Sequence, residues 1–536
     1  MSPIEHVGGS WLVEHLGIGL VQPLAVESRI GGRRSTNHSG GMRQEVFQPN
    51  MRPEPTLAGH LTFHLKHEVV HLELLARLFA VVDPADLAAW ITGEPSGQYA
   101  RRIGFLYEWM TGRQLPVTPV VQGGYHDALD GKQMLVATTT VNNQRWRIRD
   151  NMPGSPDFCP TVRMTEASRP AAAFDVGAAL RRQEAVFGAE LLRRSAVWMT
   201  LKESRSSFLI EGEQDQTRRI QRFAAVMETR TGQGPTPLLP DELASLQAAI
   251  LGEDTTLASF GLRRSPVFVG QNVRYENIVH YVAPPWESVP DLVRGLAHAL
   301  SRTEGQVGLA AARAAIAAFG FVYIHPLADG NGRLHRFLIN DTLRRDGVVP
   351  APFILPVSAL ITESTKERAD YDRALEAFSR PFMQHYGEAV SFGNEERDEA
   401  DGIRSNFNFS AYDDAMPAWR FLDLTSHVTY LGHVLRFTIE QEMHQQARFF
   451  RSNDLARRLV KDVIEGPDTD IDAIIRSARE NGGALSGKLA KRFPILEKPG
   501  RWGRVMAAIN TAFADGLDGD VGGSESGGDS ADEPRA

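Results

Sequence analysis

Among 536 residues the chain has one cysteine, Cys159. That excludes an internal disulfide and any cysteine-based zinc site, and it fits a reducing cytoplasm. Cys159 itself reads as a small core or loop residue rather than a nucleophile. Long apolar runs are missing too: no charge-free stretch reaches the roughly 18 residues of a membrane-spanning helix. The start, Met1-Ser2-Pro3-Ile4-Glu5-His6, has no charged segment followed by an apolar one, so no signal peptide is expected. Positive charge is not in excess. Fifty-eight Lys and Arg stand against 66 Asp and Glu, a net charge of −8. Neither a nucleic acid nor an anionic membrane is therefore an expected partner. Internal repeats are absent.

What is present is ordinary for a large globular chain. Hydrophobic residues make up 42% and charged residues 23%, enough to bury a sizeable core, and the length suggests about three to four domains. Residues 26–56 are rich in Gly, Arg, Ser, Asn and Pro and read as irregular. From Thr56 to Val82 apolar residues recur at helical spacing (Leu65, Val69, Leu72, Leu75, Leu78, Phe79), until Asp83-Pro84 stops the helix. Tyr99–Thr111 reads as a helix, and residues 134–149 as a hairpin. Residues 1–170 thus form a mainly helical N-terminal region. From about 175 to 385 helices dominate, interrupted by a second hairpin between Ser265 and Pro285. A further helical region is expected over 386–515. Residues 516–536 are Gly-, Ser- and Asp-rich and read as a disordered acidic tail. The expected class is mainly α, a helical core with a small β-hairpin.

The chemistry concentrates in His325-Pro326-Leu327-Ala328-Asp329-Gly330-Asn331-Gly332-Arg333-Leu334-His335-Arg336. A long alanine-rich helix delivers His325, and a second helix starts near Gly332. The start of a helix offers free N–H groups and partial positive charge, so it binds anions. Gly330 and Gly332 let the backbone approach phosphate oxygens and adopt positive φ. Asp329 is a hard oxygen ligand suited to Mg²⁺ that also binds phosphate. Asn331 can donate to a phosphate oxygen. Arg333 and Arg336, at i and i+3, can both reach a polyphosphate. His325 is the one side chain here whose ordinary pKa suits a general base at neutral pH.

This run resembles the signature of Fic-domain proteins, His-x-Phe-x-(Asp/Glu)-Gly-Asn-Gly-Arg-x-x-Arg, and departs from it only at Leu327, a packing position. Fic proteins mostly transfer AMP from ATP to a Ser, Thr or Tyr hydroxyl of a target protein. The resemblance implies that His325 is the general base, that Asp329 holds Mg²⁺ and that Asn331 binds the α-phosphate region. It implies that the amides of Gly330 and Gly332 line an anion hole, and that Arg333 and Arg336 hold the β- and γ-phosphates. The second hairpin is similar to the family's flap, so Ile278, Val279, His280, Tyr281 and Val282 are expected to bind a target segment by strand addition. Tyr371 falls where the family supplies a tyrosine near the adenine. Upstream, Ser207-Phe208-Leu209-Ile210-Glu211-Gly212 resembles the family's inhibitory sequence. Ser207, Glu211 and Gly212 would then form a brake in which Glu211 pairs with Arg336 and misorients ATP. The resemblance leaves open another nucleotide donor, phosphoryl transfer, removal of AMP, and a homo-oligomer that governs the brake. A regulatory module that senses a nucleotide is the reading from another class, and the retention of His325 speaks against it.

His67-Glu68-Val69-Val70-His71 matches the zinc-protease pattern His-Glu-x-x-His on the helix expected over 56–82. The pattern specifies only three positions and no third ligand has suitable spacing, so a packing role is preferred. The basic stretch Lys488–Arg504 likewise reads as a solvated helix face. Purified protein is expected to carry no stoichiometric zinc by elemental analysis; one zinc per chain would restore the peptidase reading.

Overall fold

The computed structural model describes residues 5–39, 42–117, 123–213, 216–273 and 276–518. Within them the chain is mainly helical with four small sheets. It divides into two compact units, one of Met1–Gly177 and Thr200–Phe437, the other of Ala178–Met199 and Thr438–Ala536. These are not the boundaries suggested by composition, because the N-terminal region and the segment up to Phe437 join the unit that holds the motif.

The first unit opens with β1 (Glu5–His6), α1 (Gly9–Leu16), β2 (Val26–Ile30), β3 (Ser35–Ser39) and β4 (Met42–Phe47). Their sheet has the order β1-β2-β4-β3, with β2 and β4 parallel. Residues 26–56, which read as irregular, therefore supply three strands. Their alternation is hidden because two inward positions are polar: Ser28 and Glu45 are both buried. Next come α2 (Leu57–His67), α3 (Leu72–Val81), α4 (Pro84–Gly93) and α5 (Gln98–Thr111), packed around Leu61, Leu74, Leu75, Leu78 and Leu106.

The single helix expected from Thr56 to Val82 is thus two. Glu68 turns inward at the break, accepting from Gly9 N–H at 2.8 Å and meeting His64 Nδ1 at 2.6 Å. His71 then caps α3 by accepting from Leu74 N–H. A buried polar network has overridden apolar periodicity, and His67 and His71 share no helix face.

The small sheet of β5 (His126–Asp127), β6 (Val141–Asn143) and β7 (Ile148–Asp150) follows. The hairpin expected over 134–149 shrinks to β6 and β7, because Trp146 leaves the ladder for the core and donates to Glu108. After α6 (Ser168–Ala172) come α7 (Val176–Phe187), α8 (Ala189–Ile210), α9 (Thr217–Arg230) and α10 (Pro240–Leu251). Strands β8 (Phe268–Val273) and β9 (Glu276–Val282) then pair as the expected second hairpin. Helices α11 (Val289–Arg302), α12 (Ala310–Ile324), α13 (Asn331–Arg345), α14 (Val357–Glu363) and α15 (Thr365–Tyr386) complete the surroundings of the motif. A hairpin not expected from sequence, β10 (Val390–Asp398) with β11 (Arg404–Phe409), precedes α16 (Tyr412–Arg420) and α17 (Thr425–Phe437).

Alanine sets the centre of this unit. Every residue of α12 except Val322 is buried. Such a helix, apolar on every face apart from Arg313, is a core element. Its small side chains let α11, α13 and α17 approach closely.

In the second unit, α18 (His444–Lys461), α19 (Asp468–Glu480), α20 (Gly487–Arg492) and α21 (Arg501–Asp518) pack around Val460, Ile471, Ile474, Ile475, Val505 and Ile509. Lys488 and Lys491 are exposed on α20. Helix α21 runs on to Asp518, and the rest of the expected tail lies outside the described residues. Among the described residues no helix is long and apolar enough to cross a membrane.

The α12–α13 pair is clamped at its far end. Arg313 donates to Asp346 through Nε at 2.8 Å and Nη2 at 3.0 Å, with both side chains buried. Asp346→Ala would strand the guanidinium in a low dielectric. It is expected to cost about 3–5 kcal/mol, read as a lower urea midpoint at unchanged slope.

Candidate active site at the turn between α12 and α13

Helix α12 ends on His325, which takes left-handed backbone angles (φ 49, ψ 57). Only Arg147 shares a positive φ among the described non-glycine residues, so the turn holds a conformation that side chains other than glycine rarely adopt. The His325 carbonyl accepts from Arg263 Nε at 2.7 Å. On the ring, Nδ1 lies 3.2 Å from Val322 O. The tautomer with its proton on Nδ1 satisfies that contact and leaves Nε2 as an acceptor. Burial first, and then the charge of Arg263, lower the imidazole pKa to about 4. The ring is therefore neutral at pH 7, the form that can take a proton.

The turn is held by its own side chains. Leu327 is fully buried and bridges to Leu262, so the position that departs from the family signature does pack inward. Asn331 does not face a phosphate site with its side chain, as had been expected. Its Oδ1 accepts from Leu327 N–H at 3.0 Å and its Nδ2 donates to Leu327 O at 2.8 Å, both buried. The amide is used as a staple across the turn, and what Asn331 can offer an anion is its main-chain N–H at the start of α13. Gly330 takes φ 92, a conformation suited to glycine. A Cβ at Gly332 would stand 2.5 Å from Glu211 Oε1, so any other residue there would push that carboxylate aside. Asp329 is half-exposed, and its Oδ1 accepts from Gly330 N–H at 2.6 Å.

Opposite this turn stands the end of α8. Ser207 and Glu211 meet the motif, and Gly212 ends the helix behind them. Gly212 takes φ 77, with Gly212 N–H bonded to Leu209 O and Glu213 N–H to Phe208 O, a Schellman end. That stop places Glu211 against α13. Its Oε2 accepts from Arg333 Nε at 2.7 Å and its Oε1 from Arg336 Nη2. Arg336 Nε donates to Ser207 Oγ at 2.6 Å. The pairing expected with Arg336 is present, and Arg333 joins it. Both arginines are buried, and the Arg333 guanidinium lies 5.0 Å over the Phe208 ring.

One anchor was missed in the sequence. Glu203, one turn before Ser207, is fully buried and accepts from both N–H and Oγ of Ser358 at the start of α14. Burial pushes its carboxyl up to about 7, against the Ser358 hydrogen bonds and the charge of Arg336. Its signal was available: Glu203, Ser207 and Glu211 repeat at i, i+4 and i+8, a polar line along one helix face.

His325 and Gly332 open onto a cavity of about 960 Å³ between the β8–β9 hairpin and α15. The expected flap residues divide there. Ile278 and His280 are exposed and Val279 half-buried. Tyr281 and Val282 are buried, and Tyr281 Oη donates to Tyr323 O at 2.5 Å. The last two side chains hold the hairpin down instead of facing a partner. Tyr371 is also buried, with its ring centroid 6.5 Å from His335 and 6.1 Å from Tyr430. The cavity wall on α15 runs instead from Arg368 and Asp372 through Leu375 and Glu376 to Met383 and Gln384. Arg368 also donates to Ile210 O, at the end of α8.

The depressed His325 pKa has a direct check. Its imidazole carbons, followed by NMR, are expected to stay in the neutral form from pH 8 down to about 5 and to titrate near 4. A midpoint near the ordinary 6.5 would contradict the burial described for the ring.

Residues 237–343 match the family model described as the Fic/DOC family. Over 151 residues the chain is 29% identical to proteins named protein adenylyltransferase fic-1 in Caenorhabditis briggsae and Caenorhabditis elegans. The aligned stretch covers 27% of this chain and 26% of each relative, so the chain spans about a quarter of their length. Among solved structures, a Fic family protein from Desulfovibrio desulfuricans G20 aligns at 18% identity and a TM-score of 0.35, over 61% of this chain and 87% of that one. The His325–Arg336 turn lies within the stretch that matches the Fic/DOC family model, and it is in this stretch that the chain is similar to the Fic family.

Proposed function

We propose that the protein is a self-inhibited adenylyltransferase that moves AMP from ATP onto a Ser, Thr or Tyr hydroxyl of a target protein, and of itself. One observation carries the reading: Glu211 lies on Arg333 and Arg336, over Gly332, at the start of α13. A site that gathers two buried guanidinium groups and a helix N-terminus around a carboxylate is built for phosphate oxygens as well. Arg333 Nη1 is buried and has no protein partner among the described residues, which leaves a donor for such an oxygen. The name of the fic-1 relatives points the same way.

The chain's own groups suffice to outline the step. A target segment lies along the hairpin with its hydroxyl near His325. Nε2 of the neutral imidazole takes the hydroxyl proton as the oxygen attacks the α-phosphorus. The bond from that phosphorus to the bridging oxygen breaks, and pyrophosphate leaves toward Arg333 and Arg336. Asp329 is the residue that would hold Mg²⁺. A single half-exposed carboxylate fits an ion that takes most of its ligands from phosphate and water. When bound, the ion neutralises phosphate charge.

In this reading the Glu211 carboxylate and the terminal phosphates compete for Arg333 and Arg336. Glu211→Gly is expected to raise AMP incorporation about tenfold or more, equivalent to about 1.4 kcal/mol. Adding His325→Ala should return it to background. The measurement is label transfer from α-labelled ATP, GTP, UTP and CTP, and in parallel from γ-labelled ATP, in cell lysate, followed by mass spectrometry of labelled proteins. No gain in the single variant would sink the brake. Label arriving only from the γ-position would replace adenylylation by phosphoryl transfer, and loss of AMP from an already modified target would indicate the reverse activity.

A further inference from the structure

Between α10 and β8 the segment Gly261–Ser265 runs beside the His325 turn. Leu262 bridges Leu327, and Arg263 N–H donates to Pro326 O at 2.9 Å. The Arg263 side chain is 2% exposed, and among the described residues no carboxylate forms an ion pair with it. Its guanidinium serves three main-chain carbonyls instead. Nε donates to His325 O at 2.7 Å, Nη1 to Ser265 O at 2.8 Å and Nη2 to Pro284 O at 2.6 Å. Ser265 lies just before β8 and Pro284 just after β9. One planar group therefore joins both ends of the hairpin to the backbone of His325.

Burying a guanidinium without a carboxylate is costly, and apolar packing would not need it. What arginine adds is a rigid fork whose donors reach divergent acceptors, which the point charge of lysine cannot copy. Burial lowers its pKa to about 10, so it stays charged at neutral pH. Neighbouring contacts reinforce the same junction. Asp401, between β10 and β11, accepts from Arg264 N–H and Ser265 Oγ. Tyr281 in β9 donates to Tyr323 O, two residues before His325. The left-handed backbone of His325 has its carbonyl direction set by the Arg263 bond.

We infer that Arg263 is a positioning residue: it fixes His325 relative to the β8–β9 hairpin, so that the imidazole and a hydroxyl held along that hairpin meet in register. The inference rests on the transfer reaction proposed for this site. A small misplacement of reacting groups costs on the order of a hundredfold in rate. Arg333 and Arg336 belong to α13 and do not touch Arg263, so ATP binding should be spared.

The test uses the full chain carrying Glu211→Gly, with Arg263→Gln and Arg263→Lys added in turn. For Arg263→Gln, kcat is expected to fall about a hundredfold while KM for ATP stays within about threefold. Arg263→Lys, which keeps the charge and one donor nitrogen, should recover part of the loss. Independently of activity, hydrogen exchange should show amides of Phe268–Val273, Glu276–Val282 and residues 326–332 losing protection together, by about tenfold, while α2–α5 keep theirs. An unchanged kcat, a rise in KM alone, or protection lost in only one of the two segments would overturn the inference. If Arg263→Gln fails to fold by circular dichroism, the lysine variant decides by the same readings. If the Glu211→Gly parent transfers no nucleotide, the transfer reading has failed. The exchange pattern then still decides whether Arg263 couples hairpin and turn.

Discussion

The structure around the site depends on how two buried guanidinium groups are satisfied. Arg333 and Arg336 lie at the start of α13, where the helix already carries partial positive charge. Left alone, that arrangement would be self-repelling and unsolvated. Glu211 resolves it by meeting both arginines with its two oxygens, and Ser207 takes a further donor of Arg336. The carboxylate sits at the C-terminal end of α8, where a negative charge is itself unfavourable. Each partner therefore needs the other, or another anion in its place. In the proposed reaction a phosphate chain is such an anion, and the proposed switch needs no device beyond this competition.

The remaining contacts hold the two sides of that pair in reach. Helix α12 can lie at the centre because alanine lets three helices approach it, and Arg313 with Asp346 pins it to α13 far from the turn. Glu203 fastens the C-terminal half of α8 to α14, and Arg368 meets the last carbonyl of that helix. Arg263 fastens the turn to the hairpin. All of these use polar groups inside the fold, where an unpaired partner is expensive and geometry is therefore well defined.

Much of the site was legible because the residues that make it are contiguous. Twelve residues joining two helices bring His325, Asp329, Gly330, Gly332, Arg333 and Arg336 together by local geometry alone, and the Glu211–Arg336 contact could be read from a six-residue pattern. The errors fell where a side chain had to choose between two faces. Asn331 turned back to staple the turn, Tyr371 turned into the core, and Tyr281 and Val282 turned to the base of the hairpin. The same cause split the expected helix at Glu68 and hid the strands near Ser28 and Glu45: a buried polar residue breaks the apolar pattern that reveals an element.

By itself the sequence determined the helical class, the hairpin between Ser265 and Pro285, the set of side chains at the turn and the presence of a carboxylate to oppose its arginines. These follow from spacing along one chain, where helix and turn geometry are local. Only the tertiary structure decided that Glu211 grips Arg333 as well as Arg336, that Glu203 anchors the same helix, and that Arg263 gathers three carbonyls from separate segments. Those bonds join residues up to 155 positions apart. Their partners are chosen by burial, which leaves each buried charge only the few acceptors within reach, and no periodicity along the chain records that choice.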